Sequence, residues 1–185
     1  IMLPGLGRVR EVSKQVLCRS NLRQVGFGLV MYADSSSDQL PSSVYVKPHM
    51  IRNDQIPAKP EAMMTLRLGP TDQRVWGQTW DGLGLLYATE NLPSQEIFYC
   101  PSHHGDHPFD GYEQAWRRQG NQEIVGNYHF RGEGPNGSTR LSFIEPSRSA
   151  LAADGMRSIT DFNHEVGLNV IRADLSLFWL ADSDG

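Results

Sequence analysis

The sequence predicts an α+β chain, with one long N-terminal helix followed by short strands and loops. Three observations carry this. Cys18, Leu22, Val25, Leu29 and Tyr32 recur at steps of four and three, which places them on one helical stripe. No proline interrupts residues 5–40. Beyond Pro41 lie most of the 18 glycines and 11 prolines, and the apolar residues there come in short runs.

The helix is expected from Gly5 to roughly Ser35. Residues 8–33 alone would span about 39 Å at about 1.5 Å per residue. That exceeds the width of most domains of this size, so the first turns are expected to project. Arg8, Arg10, Lys14, Arg19 and Arg23 make the first half basic, opposed there by Glu11. A solvated face is the simple reading. Ser35-Ser36-Ser37-Asp38 then competes for backbone hydrogen bonds, and Pro41 follows. Ahead of the helix, Ile1-Met2-Leu3-Pro4-Gly5-Leu6-Gly7 is largely apolar and runs straight into the basic turns. It reads as a frayed start or as the tail of a membrane segment.

At 185 residues one domain is the default, with residues 1–36 as the helix and 37–185 as the head packed on it. An apolar share of 39% can build a core. With 17 basic against 21 acidic residues the chain is mildly acidic, which argues against a general nucleic-acid surface. No run of 18 apolar residues occurs in the sequence as given. Cys18 and Cys100 are too few for an all-cysteine zinc site, and neither lies in C-x-x-C. In a reducing compartment they would be two buried thiols; in an oxidising one they could pair.

In chain order, Val44-Tyr45-Val46 is read as a short strand and the rest of residues 42–60 as a loop with three prolines. Glu61–Leu68 is read as one or two helical turns, punctuated by Gly69-Pro70. Gly82–Tyr87 leads a short helix ending near Asn91. Glu96–Cys100 is read as a strand broken by Pro101. Gly111–Gln119 is helical with Trp116 inward, Ile124–Phe130 a strand, and Arg131–Arg140 a turn-rich loop. Ser149–Ala153 is a strand ended by the turn signal Asp154-Gly155.

The run His103-His104-Gly105-Asp106-His107 is the most metal-like in the chain, because zinc accepts neutral imidazole nitrogen and carboxylate oxygen. Zinc enzymes usually take ligands from regular elements, whereas this run is a Gly/Pro loop. It therefore reads first as an exposed polar loop, and second as a divalent-metal site of His103, His104, Asp106 and His107. A metal-dependent hydrolase would draw on these with His129 and His164. There is no G-x-S-x-G and no recognisable Cys–His signature. No enzyme activity and no cofactor are expected beyond that candidate metal. Trp76, Trp80 and Trp116 would suit a glycan-binding module if their rings lined an open groove.

Several of these motifs fall in one order. Leu3-Pro4-Gly5-Leu6 precedes Arg8-Val9-Arg10-Glu11, then come Cys18, Asn21-Leu22, Gln24, Gly26, Tyr32 and Pro41. Gly82-Leu83-Gly84-Leu85-Leu86-Tyr87 is followed by Cys100-Pro101-Ser102. His164 is followed by nine residues and Asp174. This resembles the bacterial prepilin-like or pseudopilin-like proteins that carry a C-terminal H-x9-D-G motif. The resemblance covers residues 3–41, 79–102 and 142–180. It implies a pilin-like fold in which the helix lies across an antiparallel sheet, and a final hairpin with Val166–Ala173 as one strand and Leu177–Leu180 as the other. It implies a structural subunit of a type IV pilus-like or type II secretion-like assembly, anchored in the inner membrane with an extracytoplasmic head. Its partners would be other pilin-like subunits and assembly proteins, with no nucleic acid.

Export would oxidise the cysteines, so the resemblance implies a Cys18–Cys100 disulfide. Leu175 stands where the family has Gly, so a different turn is expected there, a type I turn over Ala173–Ser176. His164 and Asp174 are expected to serve the architecture of the head and not to pair. About ten extended steps separate them by about 33 Å.

Overall fold

The structure is a computed structural model that describes residues 4–45, 60–70, 79–117, 120 and 122–182. Helix α1 (Pro4–Ser35) is continuous for 32 residues, with Pro4 at its first position, where its fixed φ suits a helix start. Among the described residues no helix is long and apolar enough to cross a membrane. The predicted stripe is the packed face. Cys18, Leu22, Val25 and Leu29 are fully buried, Ala33 joins them, and Tyr32 sits half-buried at the edge. Ser37 and Asp38 turn the chain out with positive φ, and the Asp38 amide returns to the Ala33 carbonyl at 2.8 Å in the manner of a Schellman end.

Among the described residues the strands form three antiparallel sheets. The central one contains β3 (Tyr128–Phe130), β4 (Ala150–Asp154), β7 (Gly167–Arg172) and β8 (Leu177–Ala181), in that order across the sheet. Strand β1 (Thr65–Arg67) pairs with β2 (Ile124–Val125), and β5 (Met156–Ser158) pairs with β6 (Asp161–Phe162). Helix α1 lies against β4 and β7. Gly26 allows the close approach: a Cβ there would stand 2.3 Å from Ile171 Cδ1. The core between helix and sheet holds Leu66, Leu86, Phe98, Tyr128, Phe130, Leu151 and Ile171. The α+β class is therefore present, as is the packing of a long helix on an antiparallel sheet.

The Gly-Leu-Gly block has a steric reason. Gly82 has φ +48°, and its amide donates to the Ser42 carbonyl. A Cβ on Gly84 would come within 1.9 Å of the Leu66 carbonyl oxygen, so α2 (Gly84–Ala88) can rest on β1 only through glycine. Asp81, buried beside the block, accepts from Ser43 Oγ at 2.8 Å and from the Val44 amide at 2.9 Å. Trp116, on α3 (Glu113–Arg117), is buried and stacks with Trp80 at 5.5 Å.

Four local expectations are corrected. Val44 and Tyr45 lie in a turn and not in a strand, tied down by Asp81; Val46 lies outside the described residues. Glu61–Leu68 is half right: a 3-10 turn at Pro60–Met64 leads directly into β1. Glu96–Cys100 is no strand but a 3-10 turn, Gln95–Phe98, followed by two extended residues. Phe98, Tyr99 and Cys100 are all buried, without the alternation of a half-buried strand, and Asn127 takes up their hydrogen bonds in place of a ladder. The predicted strand Ile124–Phe130 is two strands broken at Gly126-Asn127.

The final hairpin forms where expected, but its turn is displaced by one residue. The Leu175 amide donates to the Arg172 carbonyl at 3.0 Å, and Leu175 itself has φ +65°. Leucine thus holds the left-handed position that glycine would fill. Its side chain packs on the core beside Gly26, which offsets the backbone cost.

Candidate functional site

Two clusters of ligand-type side chains flank the segment from Cys100 to His107. They share the run Asp161-Phe162-Asn163-His164, in which the strand pair Asp161-Phe162 leads into a bend at Asn163. Asp161 and Asn163 meet the histidine loop, and His164 meets the disulfide.

In the first cluster Cys18 and Cys100 are bridged, with Cα atoms 5.0 Å apart. The bond joins α1 to the segment leaving the 3-10 turn, not to a strand end. Beside it His164 Nε2 stands 3.7 Å from Cys100 Sγ and 3.3 Å from Asp154 Oδ2, while its Nδ1 faces Glu11 Oε1 at 3.4 Å. Asp154 is a buried hub. Its Oδ2 accepts from the Asn169 amide at 2.6 Å and from Asn169 Nδ2 at 2.8 Å, and its Oδ1 accepts from Asn163 Nδ2 at 3.2 Å. Burial pushes the His164 imidazole down, but the hydrogen bonds and charges of Asp154 and Glu11 outweigh it and hold its pKa above the ordinary value. Cys18, Cys100, Asp154 and His164 bring four ligand atoms together. With both sulfurs spent in the disulfide, no thiolate is left to bind a metal.

Asp174 is remote from this in its bonding. It is exposed in the hairpin turn, where Oδ1 accepts from the Ser176 amide at 2.9 Å. Hydrogen bonds from the Ser176 side chain and amide hold its carboxyl below the usual range. Among the described residues no contact joins His164 to Asp174.

The second cluster gathers His103, His107 and Asp161, whose ligand atoms lie within 4.8 Å of one another. An antiparallel bridge between His104 and Phe162, with N–O distances of 2.7 and 2.8 Å, docks the histidine loop on β6. Gly105, at φ +133°, lets the loop close there, since a Cβ would stand 2.6 Å from Asp161 Cα. His103 and His107 then reach the same carboxylate from its two sides. His107 Nδ1 donates to Asp161 Oδ2 at 2.6 Å, and its Nε2 accepts from Arg157 Nη1. His103 Nδ1 faces Asn163 Oδ1 at 3.1 Å. Asn163 is fixed in that orientation because its amide nitrogen donates to the Asn127 carbonyl at 2.7 Å and to Asp154.

Of the four residues singled out in the sequence, His103 and His107 come together. His104 is exposed, with its ring against Phe162, and Asp106 is exposed and outside the cluster. Asp161 supplies the carboxylate instead. Sequence reading missed Asp161, Asp154, Asn127 and Asn163. The D-x-N-H run was the available signal for the first and last of these. Asp154 had been read as a turn residue, and nothing local marks Asn127. His129 lies on β3, apart from both clusters. Trp80 is half-buried and Trp116 buried, and both line an open pocket with Tyr87, whereas Trp76 lies outside the described residues.

No family model matches the chain, and neither a curated protein nor a solved structure matches it.

Proposed function

We propose that this chain is a structural subunit of a type IV pilus-like or type II secretion-like fibre. An apolar helix continuing α1 upstream would hold it at a bacterial inner membrane, and residues from 37 onward would form the extracytoplasmic head. The observation that carries this reading is the division of α1. From Cys18 to Ala33 its stripe is buried against the head. Before Cys18 it turns Val9, Val12 and Val16 outward, at 63, 53 and 62% exposure. These three follow helical spacing on one face. An exposed apolar stripe costs solubility in an isolated head but would be covered by helices of neighbouring subunits. The disulfide fits the oxidising compartment that such a head occupies. The order of motifs along the chain supports the same family. In this reading the protein's role is architectural, and no turnover is assigned to its histidines.

The test uses the native cell. A photo-crosslinking residue placed at Val12 or Val16 should join the chain to further copies or to other pilin-like subunits in the membrane fraction. The same residue at Ile159, on the head, should not. A product found only as uncrosslinked soluble protein would overturn the proposal.

A further inference from the structure

His103 and Asp161 pose a problem that their neighbours do not solve. His103 Nε2 and Asp161 Oδ1 stand 3.0 Å apart, with side chains only 3% and 5% exposed. Yet neither atom has a hydrogen-bond partner among the described residues. Nδ1 of the same ring faces the fixed carbonyl oxygen of Asn163, so it carries the ring proton and leaves Nε2 with a bare lone pair. A buried lone pair beside a buried carboxylate oxygen is costly unless something positive lies between them.

We infer that His103 Nε2, His107 Nδ1 and Asp161 bind one divalent cation of the zinc class. Two imidazoles and one carboxylate are a donor set that zinc accepts, with a solvent molecule as fourth ligand. The side chain of His107 is 14% exposed, which gives solvent that access. Asn163 would be the outer partner that orients a ligating histidine. Ligands about 2.1 Å from a tetrahedral ion stand about 3.4 Å apart. The histidine nitrogens, now 3.0 and 2.6 Å from Asp161 oxygens, therefore need only draw back slightly from the carboxylate to admit the ion. Binding would require His107 to carry its proton on Nε2, where Arg157 now donates. Arg157 is therefore the competitor of the metal, and it must swing away. The ion would tie the histidine loop to the β5–β6 hairpin and stiffen the head next to the disulfide.

The test titrates zinc chloride into chelator-stripped, disulfide-intact protein by calorimetry. One equivalent should bind with Kd below about 100 μM. His103→Ala and Asp161→Asn should each weaken binding at least about tenfold, the latter keeping the shape of the side chain. His104→Ala should leave it unchanged, and Arg157→Ala should tighten it severalfold. Circular dichroism identifies the variants that fold, and the comparison is made on those. Wild-type protein without such binding would overturn the inference. So would binding that survives in a folded His103→Ala or Asp161→Asn variant, or that is lost in His104→Ala.

Discussion

The two clusters beside Cys100–His107 are built from similar residues and end in opposite conditions. Around the disulfide, the sulfurs are bonded to each other and the Asp154 carboxylate accepts three hydrogen bonds from Asn163 and Asn169 besides its contact with His164. Around Asp161, one histidine nitrogen and one carboxylate oxygen face each other unsatisfied. The difference follows from the elements that supply the residues. The first cluster draws Cys18, Asp154 and Asn169 from α1, β4 and β7, which are packed against one another. The second is held by a glycine-bearing loop and a two-residue strand, which have little apolar burial of their own. A closed cluster belongs to the architecture, whereas an open one has room for a ligand.

The largest effect should come from breaking the closed cluster at its covalent bond. The bridge spans 82 residues of sequence. In the chain-entropy account it contributes roughly 4.5 kcal/mol. The Cys18→Ser, Cys100→Ser double variant should lose a substantial part of that in a urea titration, and reductant should do the same to the wild type but not to the variant. Equal stability with and without the bond would show that helix and head are joined by packing alone.

The two aspartates test the contrast directly. Asp154→Ala strips acceptors from buried donors and leaves His164 without its main partner, for an expected cost of about 3–5 kcal/mol. Asp161→Ala removes an oxygen that has no partner and one bond from His107, for an expected cost of about 1 kcal/mol in metal-free protein. Comparable losses in urea midpoints would mean that the second cluster is as much a part of the fold as the first.

This contrast also marks what the sequence could tell. The helix and its stripe were legible because their periodicity is local and repeats, whereas the final hairpin came through the resemblance. The disulfide was legible only through a resemblance that implied export. The histidine loop was visible as a ligand-rich run, but its carboxylate partner was not. Asp106 is close in sequence and points elsewhere, while Asp161 is distant and arrives through a strand pairing with His104. The segment Glu96–Cys100 looked like a strand because it is apolar. Its real constraint is Asn127, whose amide and side chain meet the segment's backbone from 27 residues away. Leu175 was expected to change its turn, and the turn does differ from a type I′ turn, since Asp174 has no positive φ. It closes one residue early, however, and Leu175 takes the left-handed position while packing on the core.

A third prediction uses pH. His164 has a folded-state pKa above its ordinary 6.5, which unfolded protein should show. The stabilisation this represents is fully present below the unfolded value and is lost as pH rises through the folded one. Relative to His164→Gln, the wild type should hold its greatest advantage near about pH 5.5 and lose part of it by about pH 9. An advantage that grows with pH would mean that the histidine is neutral in the fold and that Asp154 is satisfied by its amides alone.

The smallest effect should come from Glu11, the point where α1 leaves the head. Its carboxylate accepts from Ser102 Oγ at 2.9 Å and faces His164 Nδ1 at 3.4 Å, but it is 40% exposed. Water and salt screen such a charge, so Glu11→Gln should cost less than about 1 kcal/mol. The amide oxygen can still accept from Ser102. The titration of His164 should shift down slightly and keep its sign, since Asp154 remains. If Glu11→Gln instead destabilised the protein as strongly as Asp154→Ala, the joint between helix and head would extend a further two turns beyond the disulfide. The apolar stripe at Val9, Val12 and Val16 would then be anchored to the head at its midpoint, and less free to follow neighbouring helices than the proposed fibre requires.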